Sequence, residues 1–263
     1  MKNVMFIGYG TMARKVHEML PDNVVLKAIV ASPRSADKIR AELGQSIEVV
    51  TSVAELTVKP DLAVEMAGQD GLKQHALDIL QQGIALGIVS VGAFTDEKFA
   101  MSLHDTAKKN KVKIHILAGA IAGIDGINAA SLAGLEDVTY QGRKKPASWQ
   151  GSYADELIDY DNLVQPEVFF TGSAREAAAL FPDNSNVAAT IALAGVGLDK
   201  TKVELIVDPT LEHNIHHINA NGVFGKLEIS MTGLPLAENP KTSSLAAFSA
   251  LRLCCQLAEV YQL

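Results

Sequence analysis

"FIGYGTMARKV" (Phe6–Val16) sets Gly8 directly after an apolar run and Gly10 directly before an amphipathic one. With the residues ahead of it, "NVMFIG" reads as a buried strand, and "TMARKVHEML" reads as a helix that Pro21 ends. In such a strand–turn–helix unit the first glycine permits the tight turn. The second lets the backbone approach a pyrophosphate, and the small Ala13 lets the helix pack closely on the strand. The helix N-terminus, opened by Thr11 and Met12, then faces the anion. A Gly-x-Gly-x-x-Ala string alone is weak, because it recurs by chance. Its weight comes from finding the strand and the helix where the mechanism needs them. A dinucleotide site is therefore expected at Gly8, Gly10, Thr11 and Met12.

The same alternation continues outward. "VVLKAIV", "IEVV", "LAVEMAG", "IALGIVSV" and "KIHIL" read as further strands. "SADKIRAEL", "GLKQHALDILQQG" and "DEKFAMSLHDTAKKN" read as the helices between them. Strands that are near-continuous apolar runs belong to a parallel sheet covered on both faces. The fold class is α/β, with a Rossmann-type doubly wound parallel sheet in a dinucleotide-binding domain at 1–118.

NAD-preferring folds place an acidic residue about 20 residues beyond the glycine turn, at the end of the second strand. Here that position reads "ASPRS", with no carboxylate. Ser32 can bond a ribose hydroxyl, and Arg34 can pair with a 2′-phosphate with no acid to repel it. A solvated loop charge is the competing reading of Arg34. The expected cofactor is NADP or NAD, with use of both.

After "AGAIAGIDGINAASLAG" (Ala118–Gly134) the pattern changes to shorter alternating runs: "DVTYQG", "PEVFFTG", "KVELIVD", "HNIHHINANG" and "GKLEISMTG". With helix signals at Ser173–Leu180 and Asn186–Leu198, this reads as an α+β domain at 119–240 with an open-faced antiparallel sheet. It would supply substrate binding, catalysis and dimerisation. The amphipathic segment 241–263 is expected to pack back on the first domain. A surplus of 30 acidic over 23 basic residues argues against a nucleic-acid partner. The apolar runs are shorter than the roughly 18–20 residues that span a bilayer. The two cysteines, Cys254 and Cys255, are adjacent and give no disulfide framework, which fits a reducing cytoplasm.

Several separated motifs point further. "GYGTMA", "SVGAF" (Ser90–Phe94), "AGAIAGIDGI" (Ala118–Ile127), "GRKKPASW" (Gly142–Trp149), "FPDNSNVAATIALAG" (Phe181–Gly195) and "DPTLEHNIHHI" (Asp208–Ile218) together resemble the L-aspartate dehydrogenase family over essentially the full length. The resemblance implies reversible NAD(P)-dependent oxidative deamination of L-aspartate, through iminosuccinate, to oxaloacetate and ammonia. Within the family the imine can feed nicotinamide cofactor synthesis. The resemblance also implies cofactor contacts at Ala122 and Asn186, and a catalytic histidine at His216. Two departures are Ala13 in place of a third glycine and His217 directly after His216, which leaves open which imidazole acts. Asn184, Ser185 and Asn186 also read as possible helix caps, so a plain N-cap competes for Asn186.

The stretch "EHNIHHI" holds His213, His216 and His217. On a strand, Asn214 and His216 share one face while His217 takes the other, so the adjacent pair cannot act together. No partner spacing for a metal occurs, and none is expected. A single imidazole with a pKa near neutrality suits proton removal from water or from the substrate ammonium, with Asn214 orienting either. A dicarboxylate substrate needs a cation, and Arg143, Lys144 and Lys145 are the candidates, with Trp149 as a wall. The rival readings are a dihydrodipicolinate-reductase-like enzyme, whose anion loop is missing after "NANGVFGK", and a non-catalytic NADP(H) sensor. A homodimer is expected from the open sheet face; a monomeric mass by light scattering would sink it.

Overall fold

The computed structural model describes residues 1–261. Residues 262 and 263, the last two of the expected C-terminal helix, lie outside the described residues. The chain divides into two compact units: Met1–Leu117 together with the chain from Ala246 on, and Ala118–Leu245.

The first unit alternates β1 (Lys2–Ile7), α1 (Thr11–Glu18), β2 (Val24–Val30), α2 (Pro33–Leu43), β3 (Glu48–Val50), β4 (Leu62–Glu65), α3 (Gly68–Gln81), β5 (Ala85–Ile88), α4 (Glu97–Asn110) and β6 (Ile114–Ile116). All strand pairs are parallel, in the order β3-β2-β1-β4-β5-β6. Apolar side chains on both faces make this possible. Met5 and Ile7 of β1, Ala63 of β4 and Leu86 and Ile88 of β5 bury together with Leu72, Ala76, Ile79 and Leu80 of α3 and Leu103 of α4. Strand order reverses between β1 and β4, and the crevice at their carboxyl ends is where ligands of such sheets bind. Gly44, at φ +67°, ends α2 in a conformation that a side chain would disfavour.

The second unit contains α5 (Ile124–Ala133), β7 (Leu135–Lys144), β8 (Glu167–Ser173), α6 (Ala174–Leu180), α7 (Asn186–Ala194), β9 (Lys202–Val207), β10 (Asn214–Gly222) and β11 (Gly225–Gly233). A hairpin, β12 (Pro235–Leu236) and β13 (Asn239–Ser243), follows, and then α8 (Ser244–Gln256). The five strands run β11-β10-β7-β9-β8. One sheet face is apolar: Val138 and Tyr140 of β7, Val203, Leu205 and Val207 of β9, and Ile218 and Ala220 of β10 are buried. Helices α5 and α7 lie on β7, close enough that a Cβ on Gly195 would stand 3.2 Å from Val138.

The structure differs from the sequence reading in three places. The sheet is mixed, because the central strands β7 and β9 run parallel. Parallel neighbours need a long crossover, which the chain through β8, α6 and α7 provides. "IDGINAASLA" forms α5 where no helix is expected. Its glycines and small residues weaken the periodic signal, yet they let it sit close to β11, and Gly123 at φ +73° leaves room for Ile229. The segment from Asn186 is a shorter helix than expected, because Gly195 closes it.

Candidate active site

In the first unit, Gly8 turns the chain at φ +83°, and a Cβ there would stand 2.9 Å from Ala67 Cβ. Gly10 occupies the N-cap of α1, is exposed, and has nothing within 4 Å of the place a Cβ would take. Thr11 and Met12, half-buried, open a helix whose first turn holds no acidic residue. Open ground before an uncapped helix N-terminus fits the pyrophosphate of a dinucleotide. Ser32 holds the N-cap position of α2 without a side-chain capping bond, its hydroxyl lies 2.8 Å from Ser35 Oγ, and Arg34 is exposed in an acid-free first turn. That arrangement fits either a ribose hydroxyl or a 2′-phosphate.

Beside the glycine turn lies a group the sequence reading passed over. Glu65, in register with Ile7, is fully buried at the end of β4. Its carboxylate accepts from the backbone N–H of Ala67 (2.8 Å), Gly68 (2.9 Å) and Ser90 (2.9 Å), and from Ser90 Oγ (2.8 Å). Burial pushes the carboxyl up, against the pull of the Ser90, Ala67 and Gly68 hydrogen bonds. Glu65 thus ties the loops after β4 and β5 together next to the crevice. Glu65→Ala leaves these donors without their acceptor, and the expected cost is roughly 3 kcal/mol, read from the urea midpoint. An unchanged midpoint would mean that water replaces the carboxylate.

The second unit gathers the rest of the chemistry at one end of its apolar sheet face. His216 pairs with Gly142 of the neighbouring strand and is 5% exposed. Tyr140, two residues earlier on β7, reaches past Gly142, and its Oη lies 2.8 Å from His216 Nδ1. The two rings are nearly parallel, with centroids 6.0 Å apart. Two residues later on the same face comes Lys144. Its Nζ donates to Asn184 Oδ1, just ahead of α7, and sits 4.9 Å from the centre of the Trp149 ring.

The environments set the charges. Burial first, and the Lys144 charge second, lower the His216 pKa to about 4. Burial lowers Lys144 to about 8: its ammonium is withdrawn from water although the residue as a whole is only half-buried. Burial pushes the Tyr140 phenol up, so it stays protonated. The near-neutral imidazole expected from the sequence is therefore corrected: the sheet and the neighbouring cation keep His216 uncharged. Arg143 points to the opposite face and binds Asp208 Oδ2 through Nε at 2.6 Å. Burial raises the Asp208 carboxyl, but the Thr210 and Arg143 hydrogen bonds outweigh it and hold it below its usual range.

Of the three cationic candidates, Lys144 shares the His216 face, Arg143 is engaged by Asp208, and Lys145 is exposed. Trp149 is buried among Phe169 and Phe181, so it supports Lys144 rather than walling an open site. Asn214 begins β10, half-buried, two residues before His216. His217 faces away, opposite Gln141 and Ser230, and His213 precedes the strand. Ala122 is exposed ahead of α5. Asn186 is the first residue of α7, and Ser185 holds the N-cap position without a side-chain capping bond. Among the described residues no three His, Cys, Asp or Glu side chains are grouped to hold a metal ion, and no helix is long and apolar enough to cross a membrane. Tyr140 and Asn184 were not singled out as site residues from sequence. The signal for Tyr140 is its even spacing from Gly142 and Lys144 on one strand.

Residues 125–257 match the model of the aspartate dehydrogenase C-terminal domain, and residues 8–117 match the NAD-binding domain of homoserine dehydrogenase. An L-aspartate dehydrogenase of Psychrobacter cryohalolentis is 75% identical over 263 residues, covering all of both chains. The chain belongs to the L-aspartate dehydrogenase family. An L-aspartate dehydrogenase of Acinetobacter baumannii is 50% identical, again over the whole of both chains. The crystal structure of aspartate dehydrogenase from Thermotoga maritima superposes with a TM-score of 0.77 at 29% identity, covering 100% of this chain and 99% of that one. Membership of the L-aspartate dehydrogenase family makes the protein an oxidoreductase that works with a nicotinamide cofactor.

Proposed function

We propose that the protein is an NAD(P)-dependent L-aspartate dehydrogenase. It converts L-aspartate and water reversibly, through iminosuccinate, into oxaloacetate and ammonia, with His216 as the acid/base. The observation that carries this reading is a buried imidazole, His216, on the sheet face that also presents Lys144, in a member of this family. Gly8, Gly10, Thr11 and Met12 hold the pyrophosphate. Ser32 and Arg34 meet the adenosine ribose, and an acid-free surround there favours NADP while still admitting NAD. Ala122 and Asn186 complete the cofactor contacts by family likeness.

Lys144, held by Asn184, binds a substrate carboxylate, and Asn214 orients the substrate or the attacking water. A nicotinamide, when bound, would supply the acceptor for the Cα hydride; the substrate ammonium first gives one proton to solvent, so that loss of the hydride leaves a protonated imine. His216 then takes a proton from water as the water oxygen bonds to the imine carbon. The imidazolium returns that proton to nitrogen, the carbon–nitrogen bond breaks, and ammonia leaves. The remaining hydroxyl releases its proton to solvent and becomes the ketone. A homodimer is part of this reading.

The test is turnover of the purified protein with oxaloacetate, ammonium and either NADPH or NADH. Ammonium-dependent cofactor oxidation with aspartate formed is expected, faster at low cofactor concentration with NADPH. Cofactor binding without turnover would instead support the sensor reading. Turnover of dihydrodipicolinate alone would support the reductase.

A further inference from the structure

Tyr140 has no place in the mechanism above, yet three observations single it out. Its hydroxyl is the group that meets His216 Nδ1, at 2.8 Å inside the sheet face. The position opposite His216 in the strand register is a glycine, Gly142. A Cβ on Gly142 would stand 2.7 Å from Tyr140 Oη and 3.1 Å from Cζ, so the hydroxyl reaches the ring only because that side chain is missing. Glycine weakens a strand interior, and its use there often marks a close approach.

We infer that Tyr140 is the positioning residue of the catalytic imidazole: it holds His216 by Nδ1 through the gap left by Gly142, and so directs Nε2 to the substrate. The inference rests on the reading of His216 given above. A phenol suits this task better than a carboxylate. Its oxygen donates and accepts, so it can bond Nδ1 as donor in one tautomer and accept from Nδ1–H in the other and in the imidazolium. The bond therefore survives the proton cycle. A carboxylate would hold the ring as well, but its charge would offset the Lys144 cation that the substrate needs. Burial keeps the phenol protonated, so it adds no charge of its own. Among the described residues the titratable groups facing His216 are then Tyr140 and Lys144, both from β7; His217 lies on the other face, and β11, the other neighbour of β10, presents Met231 opposite His216.

The experiment compares Tyr140→Phe, Gly142→Ala and His216→Ala in steady-state turnover across pH. Tyr140→Phe is expected to lower kcat about tenfold, the rate equivalent of one lost hydrogen bond. KM for aspartate and the cofactor dissociation constant stay near wild type, and the melting temperature falls only by the loss of one buried hydrogen bond. The acidic limb of kcat moves to lower pH, because the imidazolium loses its acceptor more than the neutral ring loses its donor. Gly142→Ala should reproduce both effects by displacing the hydroxyl, and the double variant should add little to either single one. Wild-type kcat and an unmoved limb in Tyr140→Phe, beside an inactive His216→Ala, would overturn the inference and leave the His216 reading standing. A lowered melting temperature with kcat and KM both altered would assign Tyr140 to packing and also overturn it. Full turnover in His216→Ala would overturn the His216 reading itself.

Discussion

His216→Ala is expected to lower kcat by about 10²–10⁴-fold, the usual contribution of a positioned acid/base group, with cofactor affinity unchanged. The separation follows from the architecture. The glycine turn proposed to hold the pyrophosphate belongs to the first unit, and His216 to the second. The pH dependence sharpens the test. An imidazole whose pKa is lowered to about 4 is uncharged above that value, so the base form is present throughout the neutral range and is lost as pH falls through about 4. The acidic limb of wild-type kcat/KM assigned to this residue should therefore lie nearer 4 than the 6.5 of a solvated histidine. A base this weak is a poor proton acceptor in the empty site. Binding a dicarboxylate corrects that, because two negative charges offset Lys144 and raise the imidazole toward useful basicity. The limb in kcat should accordingly lie above the limb in kcat/KM. A single limb near 6.5 in both, or an unimpaired His216→Ala, would mean that the proton is handled elsewhere.

Much of this was legible in the sequence, and the reasons for what was not are physical. Local rules sufficed for the glycine turn, since Gly8 and Gly10 shape the backbone within one strand–turn–helix unit. The period of two sufficed for His216 against His217, because adjacent strand residues must face opposite ways. The same rule, applied to "TYQGRKK", puts Tyr140, Gly142 and Lys144 on one face and Arg143 on the other. What it could not supply was the partner strand, and without the β7–β10 register nothing says that Tyr140 and His216 meet. Asp208 claims Arg143 across a separation of 65 residues, which no local pattern announces. Glu65 sits in an apolar run where an acid reads as an interruption. Its burial makes sense only once the Ser90 loop, 25 residues on, is beside it. The imidazole pKa was misjudged for a related reason: spacing gives the residue its face, but desolvation depends on everything packed against that face.

Lys144→Met should raise KM for aspartate and for oxaloacetate by about 10–10³-fold, the loss seen when one partner of a buried charge-assisted pair is truncated. Methionine keeps the length and apolar stem of lysine, so the contact over Trp149 and the fold should persist. The effect is expected chiefly in KM, because the carboxylate is present both before and during reaction and its binding is largely uniform. A second signature is independent of magnitude. Burial lowers Lys144 to about 8, so the free enzyme carries this charge below that pH and loses it as pH rises through it. Wild-type kcat/KM should therefore fall on the alkaline side with a limb near 8, and in Lys144→Met that limb should vanish. In the complex the carboxylate favours the charged amine, which moves the limb upward in kcat. Arg143→Met serves as the contrast. It strands the buried Asp208 carboxylate and should lower stability while leaving the limb near 8 in place. If Arg143→Met instead raised KM and Lys144→Met did not, the carboxylate site would lie on the opposite sheet face, and His216 could not serve the same substrate carbon.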